Sequence, residues 1–137
     1  MITEYKFTIK GNPITKKNSQ QILVNRATGR PFISPSSKYR SYAKDAVFQL
    51  VTQSAKQFID KPIDYPVNVK CHYWMETHRR VDLANLLEGS LDLLVDAGIL
   101  KDDNCTIAAM YDGSLVDYDK QNPRVEITIR ELLPFEE

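Results

Sequence analysis

The chain has 137 residues, 18 Lys/Arg against 18 Asp/Glu, and 42% hydrophobic residues, a length and composition suited to one globular domain over residues 1–137. Twelve Gly plus Pro and 9% aromatics exclude a disordered or fibrous chain. No apolar run reaches the roughly 18 residues of a membrane helix, and the alternating MITEYKFTIKG start lacks the apolar stretch of a signal peptide.

Tyr5, Phe7 and Ile9 alternate with polar residues and predict a strand that Gly11-Asn12-Pro13 ends. A polar, basic stretch follows, with Lys16-Lys17-Asn18-Ser19, Arg26 and Arg30. Within it, 20–25 and 30–33 predict a short hairpin around Ala27-Thr28-Gly29. Ser36 or Ser37 is an N-cap for an amphipathic helix reaching Phe58. Its apolar stripe includes Tyr39, Tyr42, Ala46 and Leu50, and Lys38, Arg40 and Lys44 lie off that stripe.

Val67–Met75 alternates and is rich in β-formers, so it reads as a strand. The basic cluster His78-Arg79-Arg80 follows. Asp82 then caps a second helix with a stripe of Leu83, Leu86, Leu87, Leu91, Leu94 and Val95, and Gly98 ends it. Residues 105–111 read as a strand, Asp112-Gly113 as a hairpin turn, 115–118 as its partner strand, and Val125, Ile127 and Ile129 as a last strand. The fold class is α+β, with two main helices on a mixed, mostly antiparallel sheet. Cys71 and Cys105 fall in strand-like runs without metal-site spacing, which argues against a disulfide framework or structural zinc and for a reducing cytoplasm.

The charges are balanced overall but not along the chain. Residues 1–61 carry eleven Lys/Arg and three Asp/Glu, a net of +8; residues 62–137 carry seven and fifteen, a net of −8. Two readings fit. Either the basic half meets a polyanion while the acidic half holds cations, or two solvated surfaces attract each other in the fold or across a dimer. The segment HRRVDLANLLEGSLDLLVDAGILKDDNCTI (78–107) sharpens the choice. A basic cluster precedes an Asp at a helix start, and an Asp-Asp pair follows the helix. Clustered carboxylates are hard oxygen ligands suited to Mg²⁺ or Mn²⁺, and such an ion beside basic residues polarises a phosphodiester and activates water. The competing reading makes Asp82 a helix cap and Asp102-Asp103 a solvated turn.

This segment resembles the RusA-type Holliday-junction resolvases. Their pattern is a basic cluster, Asp-x-Asp-Asn-x-x-Lys, a helix with an inward Asp, and an Asp-Asp pair. Asp82, Asn85, Asp92, Asp102 and Asp103 fall on it without a gap. The basic loop at 16–19, the first helix and the strand precede the motif as in that family. The resemblance implies a bacterial or phage-encoded, prophage-type homodimer in the cytoplasm that resolves four-way DNA junctions by paired nicks, in recombination and repair. It implies Mg²⁺, or Mn²⁺, at Asp82 and Asp103, with Asp102 and Asn85 beside them.

Two positions depart from the pattern: Ala84 stands where many members have the second Asp, and Glu88 where they have the Lys. These positions are i, i+4 neighbours on a helix, so Glu88 is expected to supply the missing carboxylate, and Lys101 or Arg80 the cation. The rival expectation is a catalytically impaired protein that only binds junction DNA; a third is an acidic interaction protein. Phosphate contacts are expected from Lys16, Lys17, Asn18, Arg30, Lys38, Arg40, Arg79, Arg80, Asn85 and Lys101. Arg26 and Arg124 are further candidates.

Overall fold

The computed structural model describes residues 3–16 and 20–132, so the expected contacts of Lys17 and Asn18 lie outside the described residues. The elements run β1 (Glu4–Lys10), β2 (Gln20–Val24), β3 (Pro31–Pro35), α1 (Ser37–Lys56), β4 (Val67–Met75), α2 (Leu83–Asp96), β5 (Ala108–Met110), β6 (Leu115–Tyr118) and β7 (Arg124–Glu131). The main sheet is ordered β1-β7-β4, with β5 and β6 on the far side of β4. β7 is antiparallel to both β1 and β4, while β5 and β6 are parallel to β4. A separate antiparallel hairpin, β2–β3, pairs Ile22 with Ile33. The architecture is the expected α+β one.

Strand alternation sorts the sheet into two faces. Phe7, Ile9, Val67, Val69, Cys71, Tyr73, Val125, Ile127 and Ile129 are all buried on one face. Ala46 and Leu50 of α1 and Leu86, Leu93 and Leu94 of α2 join them in a single core. Burial pushes the Cys71 thiol up to about 11, which keeps it protonated and unreactive. The Tyr73 hydroxyl meets Ser90 Oγ at 2.7 Å inside this core and ties β4 to α2. The other face carries a polar stack in which Arg124 lies over the Trp74 ring and His72 stacks on it at 3.5 Å.

β1 is an edge strand, and three glutamines of α1 close its open side. Gln49, Gln53 and Gln57 each use their amide to bond both backbone groups of Lys10, Thr8 and Lys6, at 2.7–3.2 Å. Four helical residues rise about 6 Å and two strand residues about 6.6 Å, so one ladder matches the other. Such an edge is otherwise a template for aggregation. Gln53→Leu is expected to leave the half-buried Thr8 amide and carbonyl unpaired, at a cost of about 1–3 kcal/mol. Urea unfolding reads that loss, and an unchanged midpoint would show that the ladder contributes nothing.

Three sequence expectations are corrected. The first helix stops at Lys56, not Phe58, which takes a positive φ of 60° just beyond it. Asp112-Gly113 does not turn a hairpin: β5 and β6 run the same way along β4, as two pieces of one interrupted edge. Asn68 bridges the interruption, donating from Nδ2 to the Asp112 carbonyl and accepting the Asp112 amide at Oδ1. Ser114 Oγ accepts the Cys71 amide there. Side chains thus replace ladder bonds, and Gly113 takes φ +86° against the Lys70 stem. Cys105 lies in an exposed turn before β5 rather than in a strand.

Candidate functional site

Parallel pairing of β4 with β5 requires a crossover, and α2 is that crossover. Asp82 caps it as expected, its Oδ1 accepting the Ala84 amide at 3.0 Å. Gly98 follows the C-cap with φ +73°. Leucines bury one side of α2, and Glu88, Asp92 and Asp96 repeat at i, i+4 on another. The chain leaving the helix is pinned to Ile63, whose amide donates to the Ile99 carbonyl while its own carbonyl accepts from the Lys101 amide. Asp102 and Asp103 follow directly, Asp102 Oδ1 accepting the Asp103 amide at 2.7 Å.

Asp92, Asp96 and Asp103 line one cleft of about 500 Å³, opposite Lys16, Tyr39 and Arg40. The basic and acidic halves of the sequence therefore meet inside the fold. Arg40 is braced from its far side by a guanidinium bond to Ser34 Oγ of β3. Burial holds the Asp92 carboxyl above its ordinary value; Lys16 opposes the shift, and Asp103, Glu88 and Asp96 add to it by repulsion. A carboxyl raised on folding destabilises the protein once ionised, and falling pH or a bound cation relieves that cost. Burial, with Asp92 and Asp96, likewise raises the Tyr39 phenol, which stays a hydrogen-bond donor at the cleft wall.

The expected residues separate into distinct places. Asp103 and Lys16 sit in the acidic cleft, and Glu88 lies within electrostatic reach of Asp92. Asp82 stands at the other end of the acidic track, about 9 Å along the axis from Glu88 and about 15 Å from Asp92 at 1.5 Å per residue. Among the described residues, no three His, Cys, Asp or Glu side chains are grouped closely enough to hold a metal ion. Lys38, Arg79 and Arg80 line a second cleft, of about 510 Å³, with Asn12 and Thr77. Lys101 is exposed at the start of the Asp-Asp loop, Asn85 is half-buried in the first turn of α2, and Arg30 is exposed beside β3.

The site gains residues that the sequence reading did not assign. Asp96 and Tyr39 line the cleft, and so does Asp92, read only as a motif position. The 88/92/96 spacing was a visible signal for the carboxylates. Lys16, rather than Lys101 or Arg80, is the lysine facing them.

Among the described residues no helix is long and apolar enough to cross a membrane. No curated protein matches the chain. The family model for endodeoxyribonuclease RusA matches residues 10–130, which span the basic loop, both helices, the acidic cleft and all of the strands after β1 except the final residue of β7. The chain belongs to the RusA endodeoxyribonuclease family.

Proposed function

We propose that this chain is a Mg²⁺-dependent endonuclease that resolves four-way DNA junctions by paired nicks, acting as a homodimer in recombination and repair in a bacterial or phage-infected cytoplasm. The observation that carries the reading is the acidic cleft of α2, facing Lys16 and Arg40, in a chain of this family. The motif names Asp82, Asp103 and Glu88 for the metal, with Asp102 and Asn85 adjacent; the cleft favours an ion at Asp103, Asp92 and Glu88, with Asp82, about 15 Å along the helix axis from Asp92, outside that ion's direct ligands. These are hard oxygen donors. Burial does most to raise Asp92, and the repulsion from Asp103, Glu88 and Asp96 that adds to it is excess negative charge that a divalent ion neutralises; Mg²⁺ keeps several waters, so a few direct carboxylate bonds suffice. The bound ion would polarise the scissile phosphate and lower the pKa of the attacking water.

The chain's own residues supply position and charge. Lys16 and Arg40 hold the non-bridging phosphate oxygens, and the phenol of Tyr39 donates beside them. Water's oxygen bonds to phosphorus as the phosphorus–oxygen bond to one sugar breaks, and the departing sugar oxygen takes up a proton. Lys38, Arg79, Arg80, Arg30 and Lys101, with Lys17 and Asn18, hold flanking backbone phosphates.

Glu88→Ala is expected to reduce junction cleavage by about 10–100-fold, the usual effect of removing a supporting metal-site group. Rates equal to wild type would remove Glu88 from the site. The second reading, a junction-binding protein with an impaired centre, is favoured by Ala84 and by the absence of a grouped ligand set among the described residues. It predicts binding without nicks in either Mg²⁺ or Mn²⁺.

A further inference from the structure

The segment between β4 and α2 separates two clefts that share its residues. On one side, Lys38, Arg79 and Arg80 converge with Asn12 and Thr77. No carboxylate pairs with those three cations among the described residues. On the other side is a cleft of about 300 Å³ whose lining includes Val116 and, shared with the first cleft, Met75 and Val81. His78 and Tyr118 stack at its wall, their ring centroids 3.8 Å apart and their planes 28° apart. His78 is exposed and Tyr118 is 40% exposed, so the stack presents ring surface to solvent. Arg79 lines both clefts.

The stack is anchored through Tyr118. Tyr118 ends β6, registered against Met75, and the next amide, of Asp119, donates to the Met75 carbonyl at 2.9 Å. Asp117 also lines the aromatic cleft, one oxygen paired with His72 Nε2 at 2.7 Å. Its carboxylate is an acceptor of the kind that an exocyclic amino group of a base meets.

We propose that this segment binds one unstacked nucleotide of the DNA, its base laid on the His78–Tyr118 stack and its phosphate over Lys38, Arg79 and Arg80. The proposal rests on the DNA reading above and gives it a source of selectivity. A base inside continuous duplex has both faces covered by its neighbours, so only a branch point or a single strand offers a ring face to the protein. Cations alone hold any backbone equally, and adding an aromatic platform favours branched DNA over linear duplex.

The test uses the whole chain in EDTA, so that nothing is cut, with an oligothymidylate carrying one 2-aminopurine, a four-way junction and a linear duplex. Wild type is expected to quench the 2-aminopurine. Tyr118→Leu and His78→Leu are each expected to abolish quenching and to weaken junction and single-strand binding about tenfold, within the range for one base stacked on an aromatic ring. Duplex affinity should change less than about twofold on the same grounds. His78 lies in the connecting segment rather than in a strand, so its variant reports even if Tyr118→Leu disturbs β6. Quenching that survives both substitutions, or equal losses on duplex and junction, overturns the proposal. Cleavage in Mg²⁺ is scored separately: a wild type that cuts junctions without quenching sinks this inference alone, and one that quenches without cutting sinks the nuclease assignment alone.

Discussion

Asp103→Asn is expected to abolish Mg²⁺-dependent junction cleavage, lowering the rate by a factor on the order of 10³ or more, because a lost anionic ligand removes several kcal/mol of transition-state stabilisation. The substitution keeps the size of the side chain and removes its charge. Asp103 lies in an exposed loop, and the loop's anchor to Ile63 is made by backbone groups, so folding should survive. Junction affinity without metal should hold or improve slightly, since a carboxylate no longer repels the phosphates. The Asp92 carboxyl should also move back toward its ordinary value, because Asp103 is one of the groups that raise it. Single-turnover cleavage at saturating enzyme checks the rate. A variant cutting within about tenfold of wild type would show that Asp103 is no ligand of the catalytic ion.

The second large effect is on the scaffold. Leu94 is 0% exposed at the interface of α2 with the sheet, and its carbonyl accepts the amides of Ile99 and Leu100 as the helix ends. Leu94→Ala keeps the backbone bonds and opens a cavity. Its expected cost is about 3 kcal/mol, which lowers Tm by about 10 °C in a domain of this size. Calorimetry measures it, and a fall under about 3 °C would mean that the core closes around the gap. Because Asp92 and Asp96 share this helix, cleavage by the variant should fail at a lower temperature than wild type.

The leucine stripe with Asp82 before it and Gly98 after it was legible because helix periodicity and both end signals agreed over one short stretch. Val67–Met75 was legible for the same reason, every second residue being core. Asp112-Gly113 misled because turn chemistry is local while strand direction is not. The edge of β4 accepted both flanking segments in parallel, and the Asn68 amide supplied the bonds that the interruption removed. In the site, the motif pointed to Asp103 and the spacing to Glu88, Asp92 and Asp96. The cations opposite them were not readable as a set. Lys16 and Arg40 reach Asp92 only because the sheet and α1 carry residues from the first third of the chain to the helix near its middle. A single ion shared by Asp82 and Asp103 needs a compact cluster. The helix instead sets the carboxylates along its length, with Asp103 returned beside Asp92 and Asp96.

A synthetic four-way junction incubated with the wild-type protein, with and without Mg²⁺, tests the central claim most directly. The expected product is a pair of nicked duplexes, from symmetric cuts across the branch, formed with Mg²⁺ and absent in EDTA. A junction that is bound and stays intact in both Mg²⁺ and Mn²⁺ would contradict the claim.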